Sequence, residues 1–308
     1  MKGSLRRETV RRWASALRSL SQPRVRLDTV PPSPPKIGLA LGGGFARGIA
    51  HAGVLGVFER HGIPIHCVTG VSAGSIVAAA YASGASSTEI ARAGCAMRFG
   101  DVARWSLCRM GFVVSERMKS FLERLLKRYR FEEMPTPLGV LATDLCSGQS
   151  VNFRDAGDVF LPIRASCSYP GLFKPVHHEG RLLVDGAMSM EIPAQLARAL
   201  GATHVISVHL PGQGPALPSN VFQVVNRCFQ ILQTRTEEGW RRHSDMVIAP
   251  DVSDLPWDAF GCGEQLIRAG ETAGEAAVPQ IRNWLTLSSF APDARIAVPV
   301  PTPGSIPA

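Results

Sequence analysis

A serine between two glycines is the feature of this sequence that most clearly suggests covalent chemistry. Ser72 stands between Gly70 and Gly74, where an apolar, strand-like run (65–69) meets a helix-like run of small residues (73–83). Glycines permit a tight strand-to-helix turn, which exposes the serine Oγ at the end of a sheet. The N-terminus of the following helix favours negative charge that develops nearby. The pattern therefore predicts a nucleophile elbow with Ser72 as the nucleophile.

A cluster of three glycines, Gly42, Gly43 and Gly44, follows the first apolar run and precedes a helix-like segment. Backbone N–H groups in such a loop can point at an anion. A dinucleotide-binding fingerprint would need a glycine where Arg47 stands, and a phosphate-binding P-loop would need a Gly-Lys-Ser/Thr sequence that is not found there. We therefore expect the loop to form an oxyanion hole, with the N–H groups of Gly43 and Gly44 as donors.

An aspartate at the end of another apolar run is a candidate general base. Asp185 follows Leu182-Leu183-Val184 and precedes Gly186. A side chain at the carboxyl end of a strand points into the crevice where α/β sheets bind ligands. A carboxyl group with the ordinary pKa of about 3.9 is a weak base at neutral pH, but a site of low dielectric would raise that pKa. If Asp185 neighbours Ser72, it can accept the hydroxyl proton.

A conventional catalytic triad would add a histidine. His209, near the end of the apolar run 204–210, keeps the chain order serine, aspartate, histidine that some hydrolases share. A histidine in an apolar strand is more often a structural residue. The residues alone leave open both a two-residue site and a triad that uses His209.

The positive charge is concentrated at the start of the chain. Residues 1–30 contain eight lysines and arginines against two acidic residues, whereas the whole chain of 308 residues has a net charge of +8. The basic character therefore belongs to an arm (1–35, ending in a Pro-rich linker) and does not indicate a nucleic-acid-binding fold. Apolar residues recur at helical spacing within residues 1–30, which predicts either peripheral contact with an anionic membrane or a solvated or packed tail.

The composition indicates a globular protein of a reducing compartment. Seven scattered cysteines without a CxxC pair argue against a disulfide framework or a zinc site, so we expect a cytoplasmic protein without a bound metal. No apolar run approaches the roughly 18 residues of a membrane span, and no secretory signal is predicted. The last segment, 288–308, is rich in proline and is expected to be disordered.

Alternation of strand-like and helix-like runs between these two ends predicts the fold. Strands are expected near 37–41, 65–71, 139–143, 181–184, 204–210 and 246–249, with helices near 47–61, 73–84, 192–200, 219–241 and 263–285. Such a pattern indicates one α/β domain over 36–287, with three layers and a mostly parallel central sheet flanked by helices. Residues 85–135 interrupt the alternation and are interpreted as a helical insertion.

Taken in order, the glycine loop with Arg47, the elbow around Ser72 and the Asp185-Gly186-Ala187 segment resemble the patatin-like phospholipases in their bacterial single-domain form. The similarity covers roughly 36–285, and it includes Ala142-Thr143-Asp144, the 165–175 segment and Ile192-Pro193. Ala187 stands where many members have a second glycine, and His209 where an acidic or amide residue is more usual.

The resemblance implies a Ser-Asp dyad without a histidine and without a cofactor. Ser72 would be the nucleophile, Asp185 the base, and Gly42–Gly44 the oxyanion hole, with Arg47 anchoring the loop or contacting a lipid phosphate. The expected reaction is hydrolysis of phospholipids, lysophospholipids or other fatty-acyl esters. A non-catalytic regulatory or membrane-docking protein of the same fold and a Ser-His-Asp esterase are the competing hypotheses.

Overall fold

A mostly parallel sheet of eight strands forms the centre of the protein, in a computed structural model that describes residues 34–212 and 217–287. A two-stranded sheet lies apart from it. The strands in chain order are β1 (Ile37–Leu41), β2 (Ile65–Gly70), β3 (Arg104–Cys108), β4 (Gly111–Val114), β5 (Leu138–Asp144), β6 (Ser150–Phe153), β7 (Val176–His178), β8 (Arg181–Asp185), β9 (His204–Val208) and β10 (Met246–Ile248).

The central sheet has the order β10-β9-β1-β2-β5-β8-β7, and β6 pairs with β5 outside this path. The pairs from β10 to β5 are parallel, whereas β5 pairs antiparallel with both β8 and β6, and β8 with β7. Parallel neighbours need crossover connections, which the helices supply. The predicted α/β class with a mostly parallel sheet is confirmed.

Helices cover both faces of this sheet. Leu39 and Leu41 of β1 belong to the large apolar core, whereas Ala40 packs in a smaller cluster with Ala197 and Trp240 on the opposite face. The helices are α1 (Ala50–Arg60), α2 (Ala73–Ala82), α3 (Ser87–Ala96), α4 (Phe99–Val102), α5 (Met118–Leu125), α6 (Phe160–Ser166), α7 (Ala194–Ala199), α8 (Val221–Arg241) and α9 (Gly263–Leu287). Strands buried on both faces explain the continuous apolar runs in the sequence.

The segment 85–135 contains α3, α4 and α5, but it also contains the hairpin of β3 and β4, which the interpretation as a helical insertion does not include. The two strands have five and four residues and pair only with each other in the two-stranded sheet. Short strands that are not part of a continuous buried apolar run give little sequence signal. The hairpin is attached to the domain by a bridge between Val113 and Phe173.

Two predicted segments lie partly or wholly outside the described residues: the tail 288–308, and the arm and linker except for their last residues. In the described part of the chain, no helix is both long enough and apolar enough to cross a bilayer.

Candidate active site

Ser72 occupies a strained backbone conformation between β2 and α2. Its φ of 52° and ψ of −129° lie outside the regions that residues with a side chain ordinarily adopt. The turn fits closely against the end of β1, because a Cβ on Gly74 would lie 2.3 Å from the carbonyl oxygen of Leu41. Only glycine allows this approach at position 74. The predicted elbow is therefore present, with its serine at the N-cap of α2.

Hydrogen bonds hold the backbone of Ser72 from two sides. Its N–H donates to Oγ of Ser166 (2.9 Å), and this hydroxyl donates to the carbonyl oxygen of Leu141 on β5 (2.6 Å). The Ser75 hydroxyl donates to the Ser72 carbonyl oxygen at 2.6 Å. Ser166 thereby ties the elbow to a neighbouring strand. Sequence reasoning gave Ser166 no role, although it lies in the 165–175 segment that carries part of the resemblance.

The glycine loop lies directly against the serine. A Cβ on Gly43 would lie 3.2 Å from the Ser72 Cβ and 3.9 Å from its Oγ. The N–H of Gly42 donates to the Val208 carbonyl oxygen at 3.1 Å and so extends the pairing of β1 with β9. Within residues 34–212 and 217–287, the N–H groups of Gly43 and Gly44 have no acceptor. These two groups, and not that of Gly42, are the donors that the loop leaves available.

His51 was not selected as a site residue from the sequence, but it contacts the backbone of the glycine loop. It is fully buried on α1, and its Nε2 lies 2.9 Å from the carbonyl oxygen of Gly42. Burial lowers the pKa of His51 to about 4, so the ring is neutral at physiological pH and Nε2–H donates to that oxygen. His51 follows Gly42 by nine residues and lies in the first turn of a buried helix. This position was the sequence signal that could have indicated its contact with the loop.

Asp185 reaches the site by a different route from the one expected. Its strand, β8, runs antiparallel to β5, and the register pairs Asp185 with Ala142 and Gly70 of β2 with Val140. Asp185 therefore lies only two residues along β5 from the end of β2. Asp185 is therefore brought near Ser72 by an antiparallel strand and not, as expected, by the carboxyl end of a parallel one.

The carboxyl group of Asp185 is buried and its pKa is raised. Only 1% of the residue is exposed, and burial raises the pKa from 3.8 to about 7. Oδ1 accepts a hydrogen bond from the Ala187 N–H at 2.9 Å. The Ser72 hydroxyl is near enough to lower this pKa, and Oδ2 has no hydrogen-bond partner among the described residues. Oδ2 is thus the carboxylate oxygen that remains free to accept a proton.

The two remaining glycines of the predicted site, Gly70 and Gly186, lie where the chain has no room for a side chain. A Cβ on Gly186 would lie 2.2 Å from the Leu141 carbonyl oxygen, and one on Gly70 would lie 2.4 Å from that of Gly74. Gly186 thus lets the chain after β8 approach β5, and Gly70 lets the end of β2 approach the first turn of α2.

A cavity of about 370 Å³ opens onto these groups, a volume within the usual range for ligand sites. Ser72, Asp185, Gly43 and Gly44 line one part of it. Most of the remaining wall is apolar, and three of its residues come from the 85–135 segment. The large apolar lining residues are Phe45, Ile76, Met97, Val102, Met118, Leu172, Phe173, Leu210, Trp257 and Phe260.

A second wall of the cavity is polar. It is formed by Glu191, His209 and the inner side of α8. Nε2 of His209 lies 3.1 Å from Oε1 of Glu191, and its ring packs against Trp240. Arg47 also lines the cavity, but its Nη1 donates to the Pro211 carbonyl oxygen at 2.6 Å, which favours the anchoring role. The residues contributed by α8 are Asn226, Arg227, Gln230, Gln233, Thr234 and Glu237.

The raised pKa values of two neighbouring groups are consistent with a low dielectric in this site. Burial and the negative charge of Asp185 raise the pKa of the Cys167 thiol and of the Tyr169 hydroxyl, both of which line the cavity. The Tyr169 hydroxyl donates to Oδ1 of Asn226 at 2.8 Å. The described residues contain no group of three or more side chains arranged to hold a metal ion.

The chain belongs to the patatin-like phospholipase family, whose model matches residues 39–198. This match spans the glycine loop, the elbow and Asp185, and it confirms the resemblance drawn from the motifs.

Similar proteins occur in bacteria and fungi. An NTE family protein of Mycobacterium tuberculosis is 33% identical over 201 residues, which cover 60% of this chain and 52% of that protein. Lysophospholipase NTE1 of Mycosarcoma maydis is 28% identical over 227 residues, which cover 71% of this chain and 12% of that protein. The chain therefore matches about half of the bacterial relative and a small part of the fungal one.

Among solved structures, VipD from Legionella pneumophila has the same fold. The TM-score is 0.54 at 12% sequence identity, and the match covers 80% of this chain and 67% of VipD. At this identity the similarity concerns the fold alone.

Proposed function

We propose that the protein is a lipid acyl hydrolase that cleaves fatty-acyl esters with a dyad of Ser72 and Asp185. The observation that carries the proposal is the meeting of a strained serine and a buried carboxyl group of raised pKa in one largely apolar cavity. A carboxylate with a pKa of about 7 is matched to proton transfer at neutral pH. Family membership supports the same reaction class.

Acylation begins with attack of the Ser72 Oγ on the ester carbonyl carbon, while Asp185 accepts the hydroxyl proton at Oδ2. The negative charge that develops on the carbonyl oxygen is stabilised by the free N–H groups of Gly43 and Gly44. Donors of this kind contribute about 10²–10³-fold in rate each. The positive end of α2 adds to this stabilisation.

Collapse of the tetrahedral species breaks the ester C–O bond, and the proton held by Asp185 passes to the leaving alcohol. Water then enters, loses a proton to Asp185 and attacks the acyl-Ser72 carbonyl, which releases the fatty acid and restores the hydroxyl. Because one carboxyl group serves both half-reactions, a pKa near the working pH benefits each of them.

The two walls of the cavity suggest the substrate class. The apolar wall suits a fatty-acyl chain, and the polar wall of Glu191, His209 and α8 suits a hydrophilic alcohol portion. Lysophospholipids, phospholipids and simpler fatty-acyl esters all combine these two parts. The name of the fungal relatives favours lysophospholipids among them.

Release of fatty acid from lysophospholipid, compared between the wild type and three variants, tests the proposal. Ser72→Ala and Asp185→Asn should each lower turnover by at least about 10³-fold, whereas Ser120→Ala should match the wild type because Ser120 is exposed on α5. Wild-type turnover in Ser72→Ala would exclude the serine mechanism.

A Ser-His-Asp site is the alternative, because His209 lines the same cavity and contacts a carboxylate. If His209 were the general base, His209→Gln would lose about 10²–10⁴-fold in kcat. If Asp185 is the base instead, the kcat of His209→Gln should stay within about tenfold of the wild-type value. Any larger effect should fall on KM, since His209 lies on the polar wall.

Residues 1–30 lie outside the described residues, but their positive charge supports a further part of the proposal. In it, the protein is cytoplasmic and contacts the inner face of the membrane through this arm. Replacing its seven arginines with glutamine should weaken sedimentation with anionic vesicles while turnover of a soluble ester stays the same. Unchanged sedimentation would remove the arm from membrane contact.

A further inference from the structure

The hairpin of β3 and β4 exposes three large apolar side chains. Trp105 is 68% exposed, Phe112 58% and Met110 46%. Single exposed apolar residues are common on protein surfaces, but several together on a short hairpin indicate a contact surface. Trp105 also carries an indole N–H, which suits the boundary between water and hydrocarbon.

This hairpin is joined to the wall of the cavity. The Phe112 N–H donates to the Leu172 carbonyl oxygen at 2.9 Å, and the Lys174 N–H donates to that of Val113, also at 2.9 Å. Leu172 and the adjacent Phe173 line the apolar part of the cavity.

A series of aromatic rings makes the same connection. The ring of Phe99 lies 6.0 Å from that of exposed Trp105, 6.2 Å from that of Phe173 and 6.1 Å from that of Phe45. Phe173 and Phe45 line the cavity, so an apolar path leads from the hairpin surface toward Ser72.

Basic side chains accompany the exposed apolar ones. Arg104 and Arg109 lie on the hairpin, Lys174 lies on the segment that β4 contacts, and all three are exposed. Within the described part of the chain, none of the three takes part in an ion pair. Exposed aromatic and basic side chains on and beside one hairpin are typical of proteins that bind anionic lipid interfaces.

We propose that the β3–β4 hairpin docks the protein on an anionic lipid membrane, with Trp105, Met110 and Phe112 inserted among the lipids and Arg104, Arg109 and Lys174 at the headgroups. The apolar path through Phe99 then lies between the membrane and the cavity. The hairpin contains neither Ser72 nor Asp185, so membrane binding can be tested without turnover.

Binding of the full chain to vesicles tests the proposal. Phosphatidylcholine vesicles with 30–40% phosphatidylglycerol are compared with pure phosphatidylcholine, at roughly physiological ionic strength. The double variant Trp105→Ser/Phe112→Ser should lower the partition coefficient on the anionic vesicles by about tenfold or more, because it removes two inserted side chains. Leu145→Ser is the matched control, since Leu145 is 50% exposed but lies in the turn between β5 and β6, and it should bind as the wild type does.

The charged side chains give a second readout. Arg104→Gln/Arg109→Gln should lower binding to anionic vesicles by about fivefold per charge and leave the weaker binding to pure phosphatidylcholine unchanged. Turnover of a soluble short-chain ester should stay at the wild-type level in both double variants, which shows that they fold.

A conservative variant tests whether misfolding, and not the loss of inserted side chains, weakens membrane binding. Trp105→Phe keeps an aromatic side chain and should bind normally, but brominated lipids should quench its fluorescence less than that of the wild type, in which Trp105 is one of five tryptophans. The proposal is overturned if Trp105→Ser/Phe112→Ser binds vesicles like the wild type, or if brominated lipids quench Trp105→Phe and wild type equally.

Discussion

Replacing Asp185 with asparagine should abolish activity and, at the same time, stabilise the folded protein above neutral pH. The carboxyl group is 1% exposed, and burial raises its pKa from 3.8 to about 7. Ionisation therefore costs more in the folded state than in the unfolded state. An amide of nearly the same shape keeps an oxygen for the Ala187 N–H and never ionises.

The sign and the size follow from proton linkage. Between pH 3.8 and about 7 the folded protein holds the Asp185 proton that the unfolded chain has lost, so stability falls as the pH rises through this window. Moving the pKa from 3.8 to about 7 corresponds to about 4 kcal/mol of unfolding free energy above pH 7. For a domain of this size, such a difference is a Tm change of about 10 °C.

Thermal unfolding of wild type and Asp185→Asn at pH 5 and pH 9 measures this difference, because the other titrating groups are the same in both proteins. Because the unfolded carboxyl group is already ionised at pH 5, about 40% of the difference is present there, so the Tm advantage of the variant should be about 4 °C at pH 5 and about 10 °C at pH 9. A variant that is equally stable or less stable than the wild type at pH 9 would contradict this prediction. It would mean that burial does not outweigh the hydrogen bonds that lower the pKa of Asp185.

Three further predictions concern the same site. The kcat/KM for a soluble ester should rise with pH through an apparent pKa of about 7, that of Asp185, and a profile rising near pH 4 would contradict its role as base. Gly186→Ala should lower the urea midpoint and the kcat together, because its Cβ would lie 2.2 Å from the Leu141 carbonyl oxygen; normal values would show that β8 can shift. His51→Leu should lose about 1–3 kcal/mol of unfolding free energy, since the Gly42 carbonyl oxygen loses its buried donor, with partial recovery in His51→Gln; equal urea midpoints for all three proteins would argue against this.

The long parallel strands and the helices between them could be predicted, because they are buried on both faces and leave continuous apolar runs. The predicted strand near 37–41 and the predicted helix near 73–84 correspond to β1 and α2. The hairpin of β3 and β4 and the strands β6 and β7 could not be predicted, since they are short and are not buried on both faces, so they leave no continuous apolar run like that of β1.

In the candidate site, residue types with local signatures were accessible to sequence reasoning, and those held by tertiary contacts were not. Ser72 between two glycines has a local pattern, whereas Ser166 acts through a hydroxyl that bridges Ser72 and Leu141, far apart in sequence. The antiparallel direction of β8, which places Asp185, depends on pairing with β5 and has no local signal. Likewise, the participation of Gly42 in the sheet depends on Val208.

Covalent labelling with a fluorophosphonate probe, followed by mass mapping of the modified peptide, tests most directly whether Ser72 is an activated nucleophile. We expect one adduct, on Ser72, formed faster as the pH rises through about 7 and nearly absent in Asp185→Asn. An adduct on another residue, or a labelling rate that Asp185→Asn leaves unchanged, would contradict it.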